Sequence, residues 1–315
     1  LSTLLAVKIY RQYGDQAINV VRSDPYRMAR DIFGIGFKTA DKIAQALGLA
    51  SDHPGRLEAG VLYVLEQMTE EGHVFYPRQE LEQQAQALLE VGIEPIQATV
   101  DRLIQAGQLR LEELRVQPAS AEAALPPYVT ALYPAGLYRC EVGCAERLRM
   151  LAQHWPTRLS DLPPAFVALD AQLSPEQQAA IRSALSHPVS ILTGGPGTGK
   201  TTAMQALIAA LEAAGKSFAL ASPTGRAAKR LSQATGRAAS TLHRLLGYSP
   251  AEGFRHHADN PLPVDLVVVD EASMLDLPLA YHLLNALQPG THLLLVGDVT
   301  GHGLGSAILM AMDLD

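Results

Sequence analysis

Apolar residues in the second half of the chain alternate between short runs and helical spacing. The short runs, each bounded by turn residues, predict buried strands at 189–193, 217–221, 266–270 and 292–296. Between them, apolar residues recur every three or four positions and predict helices at 201–214, 225–235 and 278–287. Strands that alternate with helices indicate an α/β fold whose parallel sheet is covered on both faces.

The first half of the chain is typical of a series of short helices, so the N-terminal region is expected to be mainly α-helical. Gly34-Ile35-Gly36 forms a tight turn between two of them, and short extended pieces are predicted at 73–76 and 108–111. An Ala/Pro-rich stretch near 118–127 indicates a connector, followed by a helix at 141–154 and by Trp155, which is expected to pack in a core. These shifts predict four segments, at 1–52, 53–118, 119–165 and 166–315.

Composition limits the class of protein. A length of 315 residues predicts two or three domains, and 48% hydrophobic against 18% charged residues excludes global disorder. Two cysteines cannot form a disulfide framework and no apolar run is long enough to span a membrane, so we expect a cytoplasmic protein without a membrane segment. The net charge of −7 argues against coating of nucleic acid by bulk attraction. Because the helical pattern already begins at Leu1, we expect a piece of a longer protein. We also expect the protein to act as a monomer.

A glycine-rich turn follows the first predicted strand and precedes a helix. Residues 194–201 fit the pattern G-x-x-x-x-G-K-[ST]. In such a turn, backbone N–H groups bind phosphate oxygens, the lysine binds the β and γ phosphates, and the last hydroxyl binds Mg²⁺. The sequence therefore predicts a site for ATP and Mg²⁺, with Lys200 as a catalytic residue and Thr201 as a metal ligand. Its predicted nucleotide-binding residues are Gly195, Pro196, Gly197, Thr198, Gly199, Lys200, Thr201 and Thr202.

Two acidic residues follow a later apolar strand. Asp270 is expected to hold Mg²⁺, usually through water, and Glu271 to orient or deprotonate the attacking water. Taken alone, two acids after a strand are more typical of the start of a helix. Their combination with the phosphate-binding turn favours a catalytic pair.

A concentrated positive charge lies between residues 225 and 246. This stretch has no acidic residue and five basic ones: Arg226, Lys229, Arg230, Arg237 and Arg244. The preceding residues 222–225 offer hydroxyls and backbone N–H groups at the start of a helix, which suits a phosphodiester backbone. The alternative is a solvated helix face, and the position of the segment favours DNA contact.

The ordered set of motifs resembles the superfamily 1 DNA helicases, most closely the RecD-like helicases that unwind from a 5′ end. Residues 173–177 resemble their adenine-reading Q motif, 194–201 motif I, 221–228 motif Ia, 241–247 the next DNA-contacting motif and 270–273 motif II. The resemblance implies that residues 166–315 form a RecA-like ATPase lobe and that Gln177 contacts adenine. It also implies DNA contacts at Pro223, Thr224, Gly225, Arg226, Thr241, His243 and Arg244.

The glycine turn at 34–36 resembles a helix–hairpin–helix, which binds DNA phosphates without reading sequence. The resemblance implies that segment 1–52 contacts DNA through the backbone of Gly34 and Gly36, with Lys38 and Thr39 beside them. RecD-like proteins that work without partner subunits carry such a region. The implied substrates are single-stranded and 5′-tailed duplex DNA, and segment 53–118 is expected to be a small helical, winged-helix-like domain.

The end of the chain departs from this family. Gly301 stands where the family has a glutamine that senses the γ-phosphate. Residues 297–303 resemble instead the metal-binding turn of bacterial PP2C-type phosphatases, but this chain does not provide the further aspartates that such a site needs. A sequence junction, a divergent motif and a cloning artefact all remain open.

Superfamily 1 helicases hydrolyse ATP between two RecA-like lobes, and the second lobe supplies arginines. The single lobe here is therefore expected to bind ATP–Mg²⁺ and DNA but to hydrolyse and unwind poorly by itself. Two other functions stay open: a DNA-stimulated ATPase that remodels proteins without unwinding, and a DNA-binding module whose nucleotide site only switches affinity.

Overall fold

The protein divides into two compact units, Leu1–Tyr138 and Arg139–Asp315. A computed structural model describes residues 3–115, 128–162, 173–195 and 197–297. Each unit encloses hydrophobic clusters of its own. Among the described residues, no helix is both long and apolar enough to cross a membrane.

The first unit is mainly helical, as the sequence predicts. Its helices are α1 Thr3–Tyr13, α2 Ala17–Ser23, α3 Arg27–Asp31, α4 Phe37–Ala46, α5 Pro54–Glu70, α6 Arg78–Leu89 and α7 Ile93–Gln105. A small antiparallel sheet has the order β1-β3-β2 and contains β1 Tyr76–Pro77, β2 Leu109–Arg115 and β3 Tyr128–Pro134. The predicted extended piece at 108–111 is thus the start of a longer strand, whose partner β3 the sequence pattern does not predict.

Helix α4 joins two hydrophobic clusters of the first unit. Ile43 packs in the cluster formed by α1 to α4, whereas Phe37, Ala40 and Ala44 pack in the larger cluster of α5 to α7. This division of its side chains follows from helical spacing, which places residues three or four positions apart on one face. The glycine turn that precedes α4 is thereby held on a packed scaffold.

A buried ion pair fastens α4 to α5. The Arg56 guanidinium donates to both carboxylate oxygens of Asp41, at 2.8 and 3.1 Å, and the two side chains are only 6% and 13% exposed. Tyr26 donates to the same carboxylate at 2.7 Å, and burial together with this bond raises the pKa of Tyr26. Arg56 also donates to the backbone carbonyls of Ser51 and Leu89.

The second unit is an α/β lobe with a parallel sheet, which confirms the predicted fold class. The sheet order is β4-β10-β9-β5-β6. Its strands are β4 Val189–Thr193, β5 Phe218–Ser222, β6 Ala239–Thr241, β9 Leu266–Val269 and β10 His292–Gly297, with a separate hairpin of β7 Tyr248–Ser249 and β8 Gly253–Phe254. The helices are α8 Ala135–Gln153, which begins in the last residues of the first unit, α9 Pro175–Ser186, α10 Lys200–Ala213, α11 Gly225–Thr235, α12 Leu242–Leu245 and α13 Leu277–Asn285.

Alternate residues of each central strand face opposite sides of this sheet. In β9, Val267 and Val269 pack in one hydrophobic cluster and Leu266 and Val268 in the other, so both faces are covered. All five strands run the same way, and their carboxyl ends therefore meet at one edge. The predicted phosphate-binding, DNA-contacting and acidic motifs each follow one of these strands.

The described residues divide the predicted connector 119–165 between the two units. Strand β3 pairs with β2 in the first unit, whereas Cys144, Leu148 and Leu151 of α8 are buried in the core of the second. The predicted boundaries at 118 and 165 lie outside the described residues, so the four-segment division stays a proposal. The predicted packing of Trp155 is wrong, because its side chain is 70% exposed and its neighbours Thr157 and Leu159 are buried instead.

Candidate nucleotide- and DNA-binding sites

The phosphate-binding turn lies between β4 and α10, at the carboxyl edge of the sheet. Gly197 and Gly199 have φ angles of +79° and +83°, a left-handed conformation that favours glycine. A Cβ built on Gly195 or Gly197 would have no neighbour within 4 Å among the described residues, which leaves the backbone of the turn open to a ligand. Pro196, one of the predicted contacts, lies outside the described residues.

Lys200 lies across this turn. Its Nζ donates to the backbone carbonyl oxygens of Gly194 and, at 3.1 Å, Gly195. Phosphate oxygens are stronger acceptors than carbonyls for an ammonium group. The lysine is therefore held at the turn, where triphosphate oxygens could replace its carbonyl partners.

Gln177, predicted to contact adenine, borders the same turn. Its side chain accepts from the backbone N–H of Ser174 in a capping box at the start of α9, and its Nε2 donates to the carbonyl of Gly199 at 3.3 Å. A Cβ on Gly199 would lie 2.1 Å from that nitrogen, so any larger residue at position 199 would displace the Gln177 side chain. The structure thus places Gln177 against the phosphate-binding turn, and its adenine contact stays a prediction.

The acidic pair follows β9 directly. The backbone N–H of Asp270 donates to Ala221 of β5 at 2.9 Å, so the strand pairing continues into the motif. Glu271 has a φ of +54°, a conformation that costs a residue with a side chain about 1–2 kcal/mol. Its backbone turns the chain sharply into a 3₁₀ helix at Ala272–Met274. Strain of this kind is concentrated at functional sites.

The residues at this edge fit a hydrated Mg²⁺ ion bound with a triphosphate. The alternation along β9 places Asp270 on the face of the sheet against which α10 packs, and Thr201 in the first turn of α10 is exposed. Ser222 follows Ala221, which is in register with Val269, so Ser222 lies beside Asp270 on the neighbouring strand. The Ser222 hydroxyl is fully buried and has no hydrogen-bond partner among the described residues. This unsatisfied hydroxyl beside Asp270 fits a site that a polar ligand completes.

The two predicted DNA-contacting motifs lie next to each other, after β5 and β6. Thr224 caps α11 by accepting from Ala227 N–H, and Thr241 caps α12 by accepting from Arg244 N–H. A Cβ on Gly225 would meet the methyl group of Thr241 at 3.9 Å. The backbone N–H groups at these helix starts are therefore close together at the carboxyl ends of the strands.

The basic segment is smaller than its sequence suggests. Arg237 forms a two-pronged ion pair with Glu212 of α10, so the charge of one of the five basic residues is already partnered. Arg226, Lys229, Arg230 and Arg244 are exposed and have no carboxylate within ion-pair distance among the described residues. His243 is also exposed and lies against the rings of Tyr248 and Phe254.

In the first unit, the predicted hairpin has the geometry of a tight turn between α3 and α4. Gly34 has a φ of +84°, and Gly36 is the N-cap of α4, with an extended backbone and no side-chain cap. Lys38 is exposed and Thr39 is half-buried, with its N–H donating to the Gly36 carbonyl. Sequence reasoning missed Lys8, whose Nζ donates to the Phe33 carbonyl at 3.2 Å, because the two residues are 25 positions apart.

Two family models match the chain. One, described as the ATP-dependent RecD2 DNA helicase HHH domain, matches residues 1–75, and the other, described as an AAA domain, matches residues 177–301. Together they cover about two thirds of the chain, and each includes one of the two sites described above.

Several curated proteins are similar in sequence. The ATP-dependent RecD2 DNA helicase of Deinococcus radiodurans is 37% identical over 296 residues, which cover 93% of this chain and 41% of that protein. RecD, a subunit of the RecBCD enzyme of Mycobacterium tuberculosis, is 43% identical over 49% of this chain and 30% of its own length. The ATP-dependent DNA helicase PIF1 of Trypanosoma brucei brucei is 34% identical over 36% of this chain and 11% of its own length. The chain spans less than half the length of these relatives. Its match to the RecD2 HHH domain, together with 37% identity to a RecD2 helicase over 93% of the chain, identifies it as a RecD-like helicase.

Proposed function

We propose that this chain carries the N-terminal DNA-binding region and the first ATPase lobe of a 5′-to-3′ DNA helicase that acts on single-stranded and 5′-tailed duplex DNA. The RecD2 relative is named an ATP-dependent DNA helicase, which supports ATP as the substrate. Both sites are built from one chain and the two cysteines are free, so we also propose a monomer that acts in the cytoplasm.

One observation carries the proposal: the hydrogen bond from Asp270 N–H to Ala221 O joins the acidic motif to the strand that leads into the DNA-contacting loop. Ala221 is followed after two residues by Thr224, the cap of α11. A movement of the acidic motif on hydrolysis is therefore transmitted over one strand pair to the loop that binds DNA. This short connection is what a motor requires, since it must couple hydrolysis to movement along a strand.

Each residue of the nucleotide site has a distinct task in this proposal. Lys200 binds and neutralises the terminal phosphates, Thr201 and Asp270 hold Mg²⁺, and Glu271 orients the attacking water and accepts its proton. When bound, Mg²⁺ supplies charge neutralisation at the β and γ phosphates. The glycine turn supplies backbone N–H donors to phosphate oxygens.

A strand-displacement assay with the complete protein of the natural gene tests the proposal. We expect ATP-dependent displacement from a 5′-tailed duplex and none from a 3′-tailed duplex. DNA-stimulated hydrolysis without displacement would favour a remodelling ATPase. DNA affinity that changes with bound nucleotide, without turnover, would favour a nucleotide-switched binding module.

Two arginines test the proposed DNA surface of the second unit. Among the described residues Arg226 has no carboxylate partner, whereas Arg237 is paired with Glu212. Arg226→Ala should weaken binding of single-stranded DNA several-fold and lower the slope of log affinity against log salt by about 0.7, because one phosphate contact is lost. Arg237→Ala, the matched control, should change neither quantity, because Arg237 is paired with Glu212. Salt titrations of oligonucleotide binding measure both, and equal effects of the two substitutions would place the DNA elsewhere.

A further inference from the structure

Phe33, at the tip of the hairpin in the first unit, is 99% exposed. Its apolar neighbours are buried instead, Ile32 being 8% and Ile35 2% exposed. A ring so fully in water contributes nothing to the packing of the unit, and its burial against a partner would be favourable. The Phe33 ring is therefore available to a partner outside the fold.

The surroundings of Phe33 show what kind of partner would fit. Lys8 donates to the Phe33 carbonyl and Lys38 is exposed just beyond the turn, and neither has a carboxylate within ion-pair distance among the described residues. Helix α4 begins at Gly36 without a side-chain cap or an acidic residue in its first turn. The hairpin that carries Phe33 thus also carries groups that bind anions, so its partner should combine negative charge with a flat apolar surface.

We propose that Phe33 stacks on an exposed base of the DNA whose phosphates the hairpin binds, and so favours single strands and single-strand/duplex junctions over continuous duplex. The inference rests on the proposed DNA-binding function. Phe33 and Gly36 are three residues apart and can span at most about 11 Å, so a base and a nearby phosphate can be bound together. In a continuous duplex the base faces are covered by their neighbours, and exposing one costs stacking free energy.

Equilibrium binding by the 315-residue chain without nucleotide tests this selectivity. The probes are a labelled single strand, a 5′-tailed duplex and a relaxed circular duplex, which has no ends. Phe33→Ala should weaken binding of the first two about tenfold, as for the loss of one stacked base, and leave binding of the circular duplex within about twofold. Phe33→Trp should keep the preference for single-stranded and 5′-tailed DNA, because the tryptophan ring can also stack on a base. Ile18→Ala is the matched control, since Ile18 is 67% exposed in the same unit but lies outside the hairpin.

A spectroscopic test detects the stacking itself. The chain has one tryptophan, so Phe33→Trp combined with Trp155→Phe leaves a single reporter at the hairpin. A normal single strand should quench its fluorescence, whereas a strand of equal length with abasic positions should bind through phosphates and quench it little. Equal quenching by both strands would show that no base is contacted.

The outcomes separate this inference from the proposed function. If the unaltered chain binds no DNA, the proposed function fails. If it binds DNA with a strong salt dependence but Phe33→Ala binds all three probes as before, or loses affinity equally for all three, only the role of Phe33 is overturned. An unchanged thermal unfolding midpoint of Phe33→Ala is expected, because the side chain is 99% exposed.

Discussion

Lys200→Ala is expected to lower ATP turnover of the complete protein by at least about 10²-fold, the usual loss when one preorganised electrostatic contact is removed from a transition state. The lysine ammonium already lies on the phosphate-binding turn, in contact with the Gly195 carbonyl at 3.1 Å. Alanine removes the only charge that this turn itself contributes, while the turn can still form. Steady-state hydrolysis measures the loss of ATP turnover. Titration with a fluorescent ATP analogue measures the change in nucleotide binding.

DNA binding provides the control for Lys200→Ala. The DNA-contacting residues follow β5 and β6, whereas Lys200 follows β4, so salt-dependent DNA binding without nucleotide should stay within about twofold of the unaltered protein, the scatter expected for a site that is not part of the contact. Lys216→Ala is a matched lysine control, because its Nζ is paired with Asp161 away from the turn. Loss of DNA binding in Lys200→Ala without nucleotide would mean that the two sites are not separate.

Asp41→Ala is expected to lower the free energy of unfolding of the first unit by about 3–5 kcal/mol, because it leaves the buried Arg56 charge without its partner. The same substitution removes the acceptor of the Tyr26 hydroxyl. Urea unfolding followed by circular dichroism measures the change. Since Asp41 lies in the helix that follows the glycine turn, binding to DNA through the hairpin should weaken in parallel.

The exposed pair of Arg27 and Asp31 is the control for the buried one. Their side chains are 53% and 28% exposed, so Asp31→Ala should lower the free energy of unfolding far less than Asp41→Ala. Replacing both partners of the buried pair, by Asp41→Leu with Arg56→Met, should recover only part of the lost stability, because it removes the unpaired charge but leaves the Tyr26 hydroxyl and the carbonyls of Ser51 and Leu89 without these partners. A small effect of Asp41→Ala would contradict the assignment of this pair as the fastening between α4 and α5.

The parallel sheet could be predicted from the sequence because its central strands are continuous apolar runs. Strands β4, β5, β9 and β10 lie within one residue of their predicted positions. The fifth strand, β6, was missed because Ala239-Ser240-Thr241 is polar and only half-buried at the sheet edge. A short edge strand leaves little hydrophobic pattern to read.

Tertiary pairing is what the sequence alone could not provide. Arg237 looked like an available cation because its partner Glu212 is 25 residues earlier in the chain. The buried pair of Asp41 and Arg56, and the contact of Lys8 with Phe33, likewise join residues far apart in sequence. The motif residues themselves could be located because each follows a strand, whereas their neighbours depend on how the strands and helices pack.

The left-handed backbone at Glu271 has a consequence for protein engineering. Glycine adopts this conformation without steric cost, so a library screened only for heat tolerance should accumulate glycine at position 271. Variants selected in this way would keep the fold and lose the carboxylate proposed to activate water. Selection for heat tolerance therefore favours glycine at position 271, whereas ATP hydrolysis requires glutamate there.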